Sequence, residues 1–377
     1  MASALYMTLL VGPMLPLPAP KPVLDALTSV EVTTSATGPS GFSLNFTIGN
    51  RSILHTLFLL ASGGPAVELR VVIMVTVNGL PQVLMDGVIR HQELQPVGSS
   101  GSSTITIMGE DLTAVMNQVD FSGLPYPMPI EARVGAILGK YAVYGVTPMV
   151  VPSFIPDVPL PVERIPSQKG TDLAYIKDLA KQVGYVFYID PGPLPGVSTA
   201  YFGPQVKFGL PQPALSINMD SWTNVEALSF RYQPHNSTIP IVYSLDETTH
   251  ASIPIAIPPV TPLNPPLGAY TPPPTHIEPL PETAKYGLGQ ALMIGMAAAS
   301  ASADVVSGTG TLDVLRYGRV LKARQLVGVR GAGPAFDGLH YVDSVTHRLS
   351  RGEYKQEFTL TRNGLISNTP VVPSLGI

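Results

Sequence analysis

The sequence predicts a mainly β protein in which two similar antiparallel β domains flank a helix-containing α/β insertion. Three observations carry that reading. Phe42, Leu44, Phe46 and Ile48 alternate with Ser43, Asn45 and Thr47, the period-2 pattern of a strand with one face in a core. Asn78-Gly79 separates the β-rich runs 68–77 and 83–85, and Asn-Gly suits the two positive-φ positions of a tight hairpin. The third is an internal echo. Asp86-Gly87-Val88-Ile89-Arg90-His91, through Ser99 and Gly101, to residues 104–112 has the same order of parts as residues 337–365, about 250 positions later.

The later copy reads DGLHYVDSVTHRLSRGEYKQEFTLTRNGL. Its first arm mixes Tyr341, Val342, Val345 and Leu349 with Asp343, Thr346 and His347, and Ser350-Arg351-Gly352-Glu353 turns the chain. In the second arm Tyr354, Phe358 and Leu360 share one parity and Lys355, Glu357, Thr359 and Thr361 the other.

Residues 1–117 form the first β domain. Leu5 to Val11 reads as its first strand, because Pro13, Pro16 and Pro18 interrupt the apolar run and no basic segment precedes it; an exported leader is the alternative. Residues 27–34 and 42–49 follow as a hairpin, and the Asn45-Phe46-Thr47 sequon match lies within a strand. Residues 118–215 form the α/β insertion. Ile130, Val134, Ile137, Leu138 and Tyr141 share a helical face, with Gly145-Val146-Thr147-Pro148 ending the helix and a proline-spaced connector at 152–166. Thr171 or Asp172 caps a second helix whose Leu173, Ile176, Leu179, Ala180 and Val183 recur at three and four, Gly184 stops it, and residues 185–189 are a strand.

Residues 216–367 form the second β domain. Leu228, Phe230 and Tyr232 share one strand face, and residues 239–245 supply another strand. Eleven prolines in 254–281 predict a stiff extended excursion, read either as an arm to a neighbour or as a surface loop. An Ala/Gly helix at 284–306 packs closely through Gly295 and Ala299; strands are expected at 312–315 and 319–329, and 368–377 is a tail.

Only 13% of residues are charged against 45% hydrophobic, so much of the surface is uncharged, as in a subunit of a larger assembly. A net charge of -4 gives no electrostatic basis for nucleic-acid binding. The absence of cysteine excludes disulfides and thiolate chemistry. The apolar stretch 291–306 is too short for a membrane span and carries Asp304.

No catalytic, cofactor or metal constellation emerges. His55, His91, His235, His250, His276, His340 and His347 show no metal-ligand spacing and read as structural. Gly287-Leu288-Gly289 lacks the third glycine of a dinucleotide loop, and Ser99-Ser100-Gly101-Ser102-Ser103 is a loop tip. Glu110-Asp111 reads as a solvated turn matched by Asn363-Gly364 in the other copy.

The order of parts, with TDLAYIKDLAKQVGYVFYID in the insertion and YVDSVTHRLSRGEYKQEFTLTRNGL at the close, resembles the baseplate hub proteins of contractile injection systems: phage tail hubs, the hub portion of type VI secretion spike proteins, and hubs of phage-tail-like particles. The resemblance covers about residues 20 to 367. It implies that both β domains look like the barrel of the tube protein. It also implies that three subunits form a pseudo-six-fold ring between a hexameric inner tube and a three-fold spike. The implied partners are further copies of the chain, the inner tube protein, a separate spike protein and other baseplate components; assembly in the cytoplasm and incorporation into the particle follow. No spike or lysozyme segment is recognised before Ile377.

The leading expectation is therefore a structural hub with no enzymatic activity. The alternative is a particle-borne or secreted cell-wall hydrolase on a β scaffold, dependent on loop carboxylates such as Glu110 and Asp111.

Overall fold

The computed structural model describes residues 5–49, 68–97, 102–153, 165–245, 252–259 and 264–369. Ser99, Gly101, His55, His250, residues 154–164 of the connector, residues 260–263 of the proline-rich excursion and residues 370–377 of the tail lie outside them.

The first half comprises β1 (Leu5–Gly12), β2 (Leu17–Pro18), the short helix α1 (Lys21–Ala26), β3 (Leu27–Ser35), β4 (Gly41–Gly49), β5 (Arg70–Val77), β6 (Leu80–Val97) and β7 (Ser102–Asp111). Alternation works as the sequence predicts: Phe42, Leu44, Phe46 and Ile48 of β4 are buried while the residues between them are not. Asn78 and Gly79 take φ of 50° and 81° in the β5–β6 hairpin.

The insertion contains α2 (Ile130–Gly139), β8 (Val146–Val150), α3 (Asp172–Val183), β9 (Val186–Pro191) and β10 (Ser198–Gly203). Thr171 caps α3 through its side-chain oxygen, and Gly184 ends it at φ 67°. Both helices pack their apolar faces on the β8-β10-β9 sheet, giving the insertion a second core to which Val88 and Leu112 of the first half and Met293 also contribute.

The second half opens with β11 (Gln212–Ser216) and β12 (Val225–Tyr232). A side module follows: β13 (Thr238–Leu245), β14 (Ser252–Ala256), β15 (Gly268–Tyr270), β16 (His276–Leu280) and α4 (Leu288–Ser302). The half closes with β17 (Val306–Asp313), α5 (Val314–Tyr317), β18 (Leu326–Arg330), β19 (Gly338–Ser350), β20 (Glu353–Arg362) and β21 (Leu365–Ser367).

The two halves are copies in topology. Across the sheet the first runs β1-β5-β6-β7-β4-β3, and the second β11-β18-β19-β20-β17-β12. With six strands of each half numbered in chain order, both read 1-4-5-6-3-2. The irregularities coincide as well. The fifth strand bulges against the sixth between Ile89 and His91 in one half and between Val342 and Ser344 in the other. The second strand bulges against the third between Leu27 and Ser29, and again between Val225 and Ala227. Bulges locally re-aim a strand, so two at matching places mark one architecture used twice. The copies differ at one edge, where β1 pairs β5 antiparallel but β11 pairs β18 parallel.

The halves are fused through strand pairing. Beyond its bulge β19 pairs antiparallel with β3, Ser344 to Ser350 against Ser35 to Ser29, and this seam makes a single 13-stranded sheet over one apolar core. Among the described residues neither half closes its hydrogen bonding on itself.

Several expectations are corrected. Val146–Val150 continues past the end of α2 as strand β8, which tolerates Pro148 because it is an edge strand. The proline-rich excursion is paired, not free: β14 and β16 flank β13, placing Pro254 opposite Tyr243 and Pro279 opposite Ile241, while β15 pairs β21. The strand expected at 312–315 begins earlier, at Val306, and ends at Asp313 as β17, residues 314–317 are one helical turn, and the expected strand at 319–329 shortens to β18. The matching bulges also align Glu110 and Asp111 with Thr361 and Arg362, two residues from the match read in the sequence.

Candidate functional surface

The face of the fused sheet opposite the core carries hydroxyl and charged side chains. On it Thr33 and Thr346 meet across the seam at 3.0 Å, Ser229 and Thr309 at 2.9 Å, and Thr106 donates to Asn45 Oδ1 at 2.8 Å. Asn45 Nδ2 in turn donates to Ser29 Oγ at 3.0 Å. Period-2 strands with one apolar face leave such rows on the other. A second line is ionic: Arg348 bridges Glu31 and Glu357 at 3.7 and 3.3 Å, and Lys355 reaches Glu226 and Glu353 at 3.1 and 2.9 Å. A depression of about 430 Å³ lies on this face between β12, β17, β19 and β20, lined by Ser229, Thr309, Thr311, Thr346 and Glu357 among others.

Two strand edges border this surface. Among the described residues the outer edge of β12 pairs no strand, and β6 beyond its bulge pairs only β7. At these edges Leu94 is 44% exposed and Arg231 and Glu93 are exposed. An uncovered strand edge is a template for another strand.

Ion pairs tie each half to the insertion and brace the insertion itself, and in one of them, Arg70–Asp86, both side chains are buried. Arg70 makes two bonds to Asp86, 2.7 and 2.6 Å, and also donates to the carbonyls of Tyr144 and Gly196; Asp86 accepts from Ser198 at 3.1 Å. Asp172 accepts from Lys140, Tyr141 and Gln168. Arg324 pairs with Asp190 and donates to the Ser35 carbonyl, joining insertion to seam. Such pairs depend on complete hydrogen bonding to offset desolvation.

Among the described residues the histidines and the Glu110-Asp111 carboxylates lie apart. His340 and His347 are fully buried and held at about 3, His340 by burial and the Arg362 guanidinium and His347 by burial. His347 Nδ1 lies 2.8 Å from the Tyr354 hydroxyl. His91, His235 and His276 are exposed, and no cluster of three potential metal ligands occurs among the described residues. Asp111 is buried, caps the turn after β7 by accepting from Thr113 N, and has its carboxyl pushed up by burial; Glu110 beside it is exposed. Their side chains leave opposite faces of one strand, so they do not form an acid/base pair. A cavity of about 890 Å³ lies between α3 and the segment leading into α4, and neither Glu110 nor Asp111 lines it. No helix among the described residues is long and apolar enough to cross a membrane.

The sequence matches no family model and no curated protein. Among solved structures, a tail protein from Neisseria meningitidis MC58 superposes with a TM-score of 0.61 at 14% identity, covering 96% of this chain and 98% of that one. The chain has the fold of phage tail proteins. The same tail-protein fold relates it to the 43 kDa tail protein of prophage MuSo2 from Shewanella oneidensis, with a TM-score of 0.60, 14% identity and coverage of 95% and 98%. A chain of the Francisella PdpA-VgrG complex matches with a TM-score of 0.58 at 9% identity, covering 99% of this chain and 55% of the other. The tail-protein fold thus spans the insertion and side module as well as the duplicated sheet.

Proposed function

We propose that the protein is a non-enzymatic hub of a phage tail or tail-like injection apparatus. In this reading three copies close into a ring of six like β units that joins a hexameric inner tube to a three-fold spike. The observation that carries it is the duplication with complementary edges: among the described residues each chain leaves open the outer edge of one second strand, β12, and that of the distal arm of one fifth strand, β6, which are the two kinds of strand that already meet at the β3–β19 seam. A head-to-tail contact of this kind forms a ring when its rotation closes. The polar face of hydroxyl groups and paired charges then lines the bore. The fold shared with tail proteins supports the same reading.

The test is the mass of the purified protein, alone and mixed with an inner tube protein from the same particle, by light scattering and electron microscopy. A three-subunit ring that binds tube protein is expected. A chain that stays monomeric in both conditions, or in the assembled particle, overturns the proposal.

A further inference from the structure

The duplication specifies which residues meet between copies, and resting on the ring reading we infer that β12 of one copy pairs antiparallel with the distal arm of β6 of the next in one fixed register. The matching bulges superpose Ile89 on Val342 and His91 on Ser344, and Leu27 on Val225 and Ser29 on Ala227. Within the chain the seam sets Thr346 opposite Thr33 and His347 opposite Val32. Carrying these pairs through the superposition places Glu93 opposite Arg231 and Leu94 opposite Phe230.

The chemistry of the transferred pairs fits. Thr33 and Thr346 lie on the hydroxyl face with their oxygens 3.0 Å apart, so side chains at the equivalent positions are within ion-pair reach. Glu93 and Arg231 are both exposed in the single copy and of opposite sign. Directly opposed charges of opposite sign stabilise a strand pair, and like charges there destabilise it. On the core side the seam buries Val32 to 0% and His347 to 4% exposure. Their counterparts are unfinished: Leu94 is 44% exposed, and Phe230 is half-buried against Phe336 and His340. A neighbouring copy covers Leu94 with Phe230 by the same packing that the seam shows internally. Slipping the register by one residue would turn Leu94 to the hydroxyl face and Glu93 to the core side, and slipping it by two would set Glu93 opposite Ser229 or Gln233, so this register is the one that opposes the two charges with Leu94 on the core side.

Charge reversal and cysteine pairing test this directly. Glu93→Arg and Arg231→Glu should each weaken self-association at least tenfold by opposing like charges at every contact, and the double variant should recover to within about threefold of wild type. The chain has no cysteine, so a Glu93→Cys/Arg231→Cys variant under mild copper oxidation reports only the engineered contact. It should give a covalent ladder ending at the ring on a non-reducing gel, whereas Glu93→Cys/Phe230→Cys, whose side chains leave opposite faces, should not. Near-ultraviolet circular dichroism of each variant confirms that the subunit is folded. Wild-type rings with neither rescue nor ladder overturn this register and leave the ring reading standing. Wild type that never self-associates overturns both.

Discussion

Arg348 of β19 lies opposite Glu31 of β3, its Nε 3.7 Å from a carboxylate oxygen, at the only place where strand pairing joins the two halves among the described residues. Both side chains are about half exposed, so water screens the pair and its contribution is at most about 1 kcal/mol. The strength of the seam lies beneath it, where Val30, Val32, Val345 and Leu349 are buried.

Replacing Arg348 with Ala should therefore cost less than about 1 kcal/mol, whereas Leu349→Ala should cost about 2–5 kcal/mol by removing buried methyl groups and leaving a cavity. Urea denaturation of the two variants checks the order. A larger loss at Arg348 would mean that charge holds the halves together.

The Arg70–Asp86 pair has side chains only 2% and 1% exposed, and it ties the β5–β6 hairpin to the insertion through the carbonyls of Tyr144 and Gly196. Asp86→Leu should destabilise by about 3–5 kcal/mol, because it strands a buried guanidinium. Arg70→Met combined with Asp86→Leu should cost less than Asp86→Leu alone. Limited proteolysis should show early cleavage within residues 140–200 in the single variant only.

Gly295 of α4 faces β13, and a Cβ there would lie 2.6 Å from Val242 Cγ1 and 2.7 Å from Ile257 Cγ1. Gly295→Leu should overpack this contact and lower stability by about 1–3 kcal/mol despite the better helix propensity of leucine. Loss of the side module's protection in hydrogen exchange, with the seam unchanged, is the expected readout.

Burial holds His340 and His347 at about 3, against 6.5 in an unfolded chain. As pH falls from 6.5 toward 3 the unfolded state takes up protons that the native state refuses, so stability is present above pH 6.5 and is lost through that window. The slope is about 1 kcal/mol per pH unit for each histidine. His347→Gln keeps an acceptor for Tyr354 and removes one titrating group. Its urea midpoint should fall less between pH 7 and pH 5 than that of wild type; parallel profiles would count against a neutral buried His347.

Where local chemistry sets the structure, the sequence was readable. Asn78-Gly79 fixes a hairpin by its positive φ values, Thr171 and Gly184 bound α3, and the alternation of β4 and β20 reports which face is buried. Most of strand β17 was hidden because Gly308 and Gly310 look like a linker. They are small because the rings of Phe230 and Phe358 lie over them, where a Cβ would come within 2.6 and 2.5 Å. Prolines concealed β14 and β16 for a similar reason, since edge strands accept residues that a central strand rejects. The seam carried no local signal at all: Thr33 and Thr346 are 313 residues apart and become neighbours only through the folded duplication. Glu93 and Arg231 likewise look like ordinary surface charges until the two halves are superposed.

The connection between the second and third strands occupies residues 36–40 in the first half and residues 233–305 in the second, where it holds β13 to β16 and α4. In a ring of such halves every other position carries this tooth and every other position is bare, much as on an indexing wheel. A six-fold partner resting on the sheet sees six like seats, whereas a partner touching the toothed rim can count only to three. In such a ring the lengthened loop, the insertion and the edge where parallel β11 replaces antiparallel β1 would each recur only three times.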